Sequence, residues 1–468
     1  MGQTNSSWPT QIAGFFVSDI AWSNVPMAFV INVRISVLVV TLAPWLSGRL
    51  SSVAAAEPVI RRSSLESLTK LLQLLLIFLP AVLVAACQET APPVDVSGAA
   101  CVERLEGGLF EGVVSVGHRI EAYILAQRMV DHDVPGVSIA VINDDEVEWT
   151  KGYGVADVKS GAPVTSSTLF QAASISKPVT AMAALKFVED GFLDFDEDVN
   201  IKLTSWKVPS NELTKQAPVT LRGILGHTAG LTVSGFPGYA RGAKLPKLTE
   251  VLSGGGLANT GAIRVETRPG SLWRYSGGGY TVLQQLLVDV AGKPFPEIMA
   301  ETVLRPLGML ESTFEQPLPK PRHRTAASGH NSSGKKVEGD WYVYPEMAAA
   351  GLWTTPTDLA RFALEVQRSL RGEANYILSP ELTRRMIDPG LGDWGLGFLV
   401  ERNGARFSHQ GANRGFRASL VALTEHGKGA VIMMNSERGS PIAQEILLMI
   451  AQACGWPEQV ERGSGLES

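Results

Sequence analysis

The sequence predicts an α/β (α+β) fold, in which an antiparallel sheet built from N- and C-terminal strands is flanked by helices and a mostly helical second lobe is attached. Three observations predict it. Val137 to Ile142 and Val147 to Val155 are β-rich runs joined by Asn143-Asp144-Asp145-Glu146, the pattern of a hairpin. Leu396 to Glu401, Arg406 to His409, Phe416 to Thr424 and Gly429 to Met434 read as consecutive antiparallel strands, and Pro441 to Ala453 as a closing amphipathic helix. Between them, from about residue 195 to 390, short helical candidates at 220–226, 280–291, 297–305, 356–369 and 379–387 lie among Gly- and Pro-rich turns. Strands at both ends with helices between require one sheet assembled from the two ends of the chain. The middle then forms the second lobe, and a crevice between lobes is where small-molecule sites concentrate.

The elements before the sheet are read in order. Pro26 to Leu46 is long enough to cross a bilayer, but Asn32 and Arg34 fall inside it, and a mid-bilayer charge costs about 2.5–3.5 kcal/mol on insertion scales. A better-defined stretch comes next. Arg61, Arg62 and Lys70 precede the apolar run Leu71 to Ala86, which ends in Val84-Ala85-Ala86-Cys87. A basic region, a short apolar region and small residues before a cleavage point are the parts of an export signal. The run resembles a bacterial lipoprotein signal, which implies acylation of Cys87, a lipid anchor in the membrane and a place on the periplasmic side of a bacterial cell envelope. Residues 1–60 are read as an N-terminal extension or start-site artefact, 61–87 as the signal, 88–114 as a Pro/Gly/Ala-rich flexible tether, and 115–460 as the globular domain. His118 to Met129 is predicted to open that domain as an amphipathic helix, and Lys177 to Val188 is a second helix closed by Gly191.

Composition excludes several classes. With 41 Lys and Arg against 46 Asp and Glu, the net charge of −5 argues against nucleic acid as a partner, which calls for clustered cations. At 45% hydrophobic and 19% charged residues the chain is neither disordered nor low-complexity. Much of the mean hydropathy of +0.10 comes from the first 90 residues. Three cysteines are too few for a disulfide framework, and Cys101 and Cys454 are read as a tether residue and a helix residue with no bridge between them. No cofactor or metal is expected: H-E-x-x-H, P-loop and EF-hand patterns are missing, and so is the G-x-S-x-G nucleophile elbow. Gly390-Leu391-Gly392-Asp393-Trp394-Gly395 matches G-x-G-x-x-G but precedes a strand rather than a helix, so it is assigned to a turn. The acidic run Asp194, Asp196, Glu197 and Asp198 is assigned to a solvated surface.

Phe170-Gln171-Ala172-Ala173-Ser174-Ile175-Ser176-Lys177 contains S-x-x-K at Ser174 and Lys177. Positions i and i+3 share a helix face, so an amine can sit beside the hydroxyl. The same spacing recurs at Ser67/Lys70, Ser332/Lys335 and Ser333/Lys336, and context separates Ser174: it opens an apolar helix bearing Val179, Met182, Leu185 and Val188. About 100 residues later Trp273-Arg274-Tyr275-Ser276-Gly277 places a tyrosine in a glycine-rich turn, and Phe407-Ser408-His409-Gln410-Gly411-Ala412 places His-x-Gly on a strand. This order resembles the serine β-lactamase and penicillin-binding-protein superfamily, on the branch of the class C-like β-lactamases, D-aminopeptidases and family VIII carboxylesterases. His227-Thr228-Ala229-Gly230-Leu231, Pro306-Leu307-Gly308-Met309 and Gly351 to Leu359 support the resemblance, which covers residues 115–455.

The resemblance implies a β-lactamase/transpeptidase-like fold and a serine hydrolase acting on a small-molecule acyl substrate. Ser174 would attack a carbonyl, Lys177 and Tyr275 would shuttle its proton, and water would release the acyl group. The backbone N–H groups of Ser174 and Ala412 would form the oxyanion hole, with Gly411 keeping the strand edge clear for substrate. The chemistry is coherent, because a serine hydroxyl needs a base, and Lys and Tyr, with reference pKa values of about 10.4 and 10, perturb each other when placed together. Two departures matter. Where many relatives have Tyr-x-Asn this chain has Tyr275-Ser276-Gly277, and where class C enzymes have Lys-Thr-Gly it has His409-Gln410-Gly411. A histidine with reference pKa about 6.5 is mostly neutral at pH 7 and supplies no permanent cation for a substrate carboxylate. An esterase or general hydrolase therefore ranks above a dedicated β-lactamase. A D-alanyl-D-alanine peptidase and an acylated sensor without turnover are the alternatives, and oligomeric state is left open. His227 is read as a structural histidine, Arg414 and Arg417 as surface residues, and Trp273 and Trp353 as core or crevice residues.

Overall fold

The central strands of the sheet carry apolar residues at nearly every position, so both of its faces must be covered. The structure, a computed structural model, describes Cys101, 112–116, 119–123 and 125–457, apart from 374–375 and 402–403. The signal segment and the lipid anchor at Cys87 expected from the sequence lie outside these described residues. Strands β1 (Gly112–Val116) and β2 (Arg119–Tyr123) form a hairpin, followed by helix α1 (Leu125–Asp131). Strands β3 (Gly136–Asn143), β4 (Glu146–Asp157) and β5 (Ala162–Pro163) come next, then β6 (Phe170–Gln171). After a 3₁₀ turn at Ala173–Ile175, helix α2 spans Ser176–Glu189. The second lobe contains α3 (Val199–Lys202), α4 (Leu221–Leu225), β7 (Tyr239–Ala240), α5 (Leu248–Ser253), α6 (Gly277–Ala291) and α7 (Phe295–Met299). It continues through β8 (Tyr342–Val343), α8 (Met347–Ala350) and β9 (Trp353–Thr354) to α9 (Pro356–Arg371) and α10 (Pro380–Met386). The chain then returns to the sheet as β10 (Leu399–Glu401), β11 (Arg406–Asn413), β12 (Phe416–Leu423) and β13 (Gly429–Met434) and ends in α11 (Ser440–Ala453).

The sheet order is β10-β11-β12-β13-β3-β4-β5, antiparallel throughout, so β13 pairs with β3 and joins the two ends of the chain, with Met434 opposite Val137. Alternation along the strands sorts side chains into two cores. Val137, Ile139 and Val141 of β3 with Ala430, Ile432 and Met434 of β13 face one side, where Leu125 and Met129 of α1 and Ile442, Ile446 and Ile450 of α11 cover them. Ala140, Ile142, Val431 and Met433 face the other, against α2 and the second lobe. Residues Ser176 to Leu185 of α2 are all buried, so this helix runs through the core of the described domain.

Two expectations are corrected. The single opening helix over His118 to Met129 is a strand and a helix: the first half of the segment pairs with β1, with Ile120 opposite Ser115, and only Leu125–Asp131 is helical. Periodicity over so short a stretch fits either form, and a strand partner decides it. Cys101 and Cys454, expected to be unpaired, form a disulfide. They are 353 residues apart, a relation visible only once both ends of the chain are packed into the core beneath α1 and α11, where both cysteines are buried. A crosslink closing so long a loop restricts the unfolded chain and contributes roughly 2–5 kcal/mol. Cys101→Ser is accordingly expected to lower the unfolding midpoint by several degrees without changing the circular-dichroism spectrum, and a reductant should affect the native protein but not the variant.

Candidate active site

Ser174 stands where β6 turns into α2. Ala173 before it adopts left-handed backbone with φ 51°, a conformation costly for a residue with a Cβ and held only by its surroundings. Those surroundings are specific. Ser176 Oγ donates to Ala173 O at 2.6 Å and accepts from Leu352 N at 3.0 Å, while Ala172 N donates to Leu352 O at 2.9 Å. Asn413 Nδ2, at the end of β11, donates to Gln171 Oε1 and to Ala350 O. The nucleophile turn is thereby tied at once to β11, α8 and the approach to β9.

Lys177, on the first turn of α2, is 2% exposed, and its Nζ is 3.0 Å from Ser174 Oγ. The same Nζ donates to Ala349 O at 2.9 Å and lies 4.9 Å from the centroid of the Tyr275 ring. The carbonyl is presented by α8, which is fixed in turn by Gln284 of α6: its Nε2 donates to Pro345 O and its Oε1 accepts from Ala348 N.

Tyr275 directly precedes the N-cap of α6. Ser276 Oγ accepts from Gly279 N at 2.9 Å and donates to Thr232 O at 2.9 Å, which sets the angle at which the tyrosine leaves the helix. The glycines after it are required by packing: a Cβ on Gly278 would come within 2.4 Å of Thr232 O, and one on Gly277 would meet Phe236 and Ser234 O at 3.0 Å. The latter contact is a physical reason why position 277 carries no side-chain amide.

His409 lies on β11 and is buried, 6.4 Å from the Tyr275 ring. Its Nδ1 donates to Gln410 O at 2.6 Å, which leaves Nε2 as the unprotonated nitrogen. Desolvation, with a smaller contribution from the Lys177 charge, pushes its pKa down to about 3. Gly411, opposite Ala418, packs on the nucleophile turn: a Cβ there would be 2.2 Å from Ala172 O. The glycine thus has a different reason from the one expected. What a side chain would obstruct is the chain's own backbone rather than a substrate. Ala412 comes directly after it and is exposed.

The structure therefore gathers Ser174, Lys177, Tyr275, His409 and Gly411 around one point. An amine beside a hydroxyl, a phenol beside the amine and a strand against the nucleophile turn are the parts needed to transfer an acyl group through a serine ester. Residues 122–454 match the family model Beta-lactamase. The chain belongs to the β-lactamase family. It is thereby a member of the serine β-lactamase and penicillin-binding-protein-like superfamily, whose members are generally hydrolytic serine enzymes. Protein flp of Staphylococcus aureus (strain N315) is 22% identical over 331 residues, covering 66% of this chain and 62% of that protein. A D-aminopeptidase of Gluconobacter oxydans (strain 621H) is 23% identical over 337 residues, 70% of this chain and 61% of the other. The chain thus spans about 62% of the length of the curated relatives it matches. An octameric penicillin-binding protein homologue from Pyrococcus abyssi shares the fold at TM-score 0.59 and 24% identity, over 77% of this chain and 79% of that one. SurE, solved with D-Leu, does so at 0.57 and 25%, over 79% and 78%.

The parts that Trp394 and Ala349 play in this β-lactamase-family site have no signal in the sequence. Trp394, in the turn correctly assigned to the G-x-G-x-x-G match, stands edge-on to Tyr275 at 5.6 Å and to His409 at 5.5 Å, and Trp273 lies 5.6 Å from it. Trp353 is core, and Ala349 contributes only a carbonyl. Arg417 donates to the Asn413 and Phe416 carbonyls, and exposed Arg414 packs over the Tyr342 ring. In the acidic run, Asp196 pairs with Arg222 and Asp198 caps α3.

The depressed pKa of His409 has a thermodynamic consequence. The unfolded chain takes up this proton near pH 6.5 and the folded chain near pH 3, so its contribution to stability is present above 6.5 and is lost as pH falls between them. The loss amounts to about 1.4 kcal/mol per pH unit. The difference in unfolding midpoint between His409→Gln and the native chain should shift in favour of the variant from pH 7 to pH 5. A difference constant with pH would mean that the ring is not held neutral by burial.

Proposed function

We propose that this chain is a serine hydrolase that forms an acyl-enzyme at Ser174 on a small ester or D-amino-acid amide without a carboxylate beside His409. The observation that carries the reading is the buried Lys177 Nζ, 3.0 Å from Ser174 Oγ and anchored by Ala349 O. Ser174 Oγ bonds to the substrate carbonyl carbon, and the bond from that carbon to the leaving group breaks, as Lys177 and Tyr275 relay the serine proton to the leaving group. The leaving group departs with that proton, and water attacks the ester to release the acid and restore the hydroxyl. The N–H groups of Ser174 and Ala412 hold the oxyanion, a contribution of about 10²–10³ in rate for each donor. The neutral His409 favours substrates without a carboxylate at that position, which places esters and D-amino-acid amides ahead of β-lactams. The D-aminopeptidase relative and the solved SurE with D-Leu support a D-amino acyl group.

The chain works, in this reading, on the periplasmic side of a bacterial envelope through a lipid at Cys87, and the Cys101–Cys454 disulfide supports an oxidising compartment. Turnover of p-nitrophenyl butyrate, D-alanyl p-nitroanilide and nitrocefin, with Ser174→Ala as control, tests the function. The first two should be hydrolysed faster than nitrocefin. Stoichiometric acylation without turnover on all three would replace the hydrolase by an acylated sensor.

A further inference from the structure

His227 belongs to the turn after α4, and the sequence assigns it no more than a structural place. Its surroundings are more particular than that. The backbone carbonyl of His227 accepts from Arg274 N at 2.8 Å, and its ring Nδ1 accepts from Ser276 N at 3.1 Å. These are the amides on either side of Tyr275. The imidazole itself lies against the Tyr275 ring, with centroids 4.4 Å apart and the planes tilted by 37°. One residue thus holds the tyrosine from before, from behind and across its face.

The clamp is rigidly mounted. His227 takes a positive φ of 59°, and the turn that carries it is closed by Thr228 N and Ala229 N donating to Gly223 O. The end of α4 is joined to α6 by Tyr280, whose hydroxyl donates to Leu225 O. Because Nδ1 accepts a backbone N–H, the ring is neutral with its proton on Nε2, an atom with no hydrogen-bond partner among the described residues. Burial, and after it the Lys177 charge, keeps it neutral.

We propose that His227 is a positioning residue for acyl transfer, fixing the Tyr275 phenol beside Lys177 by accepting the Ser276 N–H through a neutral Nδ1. The inference rests on the proposed role of Tyr275 in moving the Ser174 proton. A group placed about 1 Å out of line costs roughly 10²-fold in rate, which is the size of effect a positioning residue can have without touching substrate.

The test uses the full-length chain and pre-steady-state acylation by p-nitrophenyl butyrate. His227→Leu keeps the bulk and removes the acceptor, and it should slow acylation about 100-fold while KM changes less than about threefold. His227→Asn, whose Oδ1 can stand where Nδ1 does, should recover to within about tenfold of native. In a Tyr275→Phe background the Leu substitution should cost no more than about threefold, since the clamp would then have no hydroxyl to place. Native rates in His227→Leu, or an equal loss in both backgrounds, would overturn the inference. If His227→Leu does not fold, a folded His227→Asn as slow as Tyr275→Phe would overturn it equally. Native activity in Tyr275→Phe alone would instead remove the reading on which it rests.

Discussion

Lys177→Met should lose about 10³-fold in acylation rate, because it removes the only amine within reach of Ser174 among the described residues, and general-base contributions run to about 10²–10⁴. Methionine is chosen over alanine for a physical reason. Lys177 is among the largest fully buried side chains, so truncation would open a cavity as well as remove the amine. With the stem retained, what remains is Ala349 O, itself buried and now without its donor, an unmet acceptor costing about 1–3 kcal/mol. A drop of a few degrees in unfolding midpoint is therefore expected beside the loss of rate. Acylation kinetics and thermal unfolding of the same preparation separate the two. A variant that acylated at the native rate would show that another group takes the serine proton.

Gly411→Val is the second substitution with a large expected effect. Its Cβ would stand 2.2 Å from Ala172 O, and backbone rather than a flexible side chain is what it meets. Strand β11 or the nucleophile turn must move apart, which separates the amides of Ala412 and Ser174 that the proposed oxyanion hole requires. Loss of one such donor costs about 10²–10³ in rate, and displacing the strand should cost at least that. Gly411→Ala already introduces the offending atom, so it should show most of the effect on kcat with little change in overall fold. An alanine variant within threefold of native turnover would contradict the claim that close packing of β11 on the turn matters.

The sheet was legible in the sequence because its central strands are buried on both faces and therefore read as unbroken apolar runs bounded by turns. The nucleophile helix was legible because S-x-x-K opens an apolar segment, whereas the repeats at Ser332 and Ser333 lie in a polar turn where Lys336 instead bridges Asp157 and Asp340. What failed to show was anything defined by tertiary approach. The Cys101–Cys454 bridge joins the two ends of the domain, Ala349 contributes a carbonyl that any residue could supply, and Trp394 gains its place only when its turn folds over Tyr275. Gly411 illustrates the difference well. Its need for a bare Cα could be inferred from the pattern, but the atom that imposes it, the Ala172 carbonyl, comes from a segment 239 positions earlier in the chain.

The hydrolase reading depends on one covalent bond. Brief incubation of the purified chain with p-nitrophenyl butyrate, acid quenching and peptide mass spectrometry should find a butyryl group on the peptide bearing Ser174, at a stoichiometry that rises with the burst of p-nitrophenol and vanishes in Ser174→Ala. A burst with the butyryl group on another residue, or turnover unchanged in Ser174→Ala, would contradict the account.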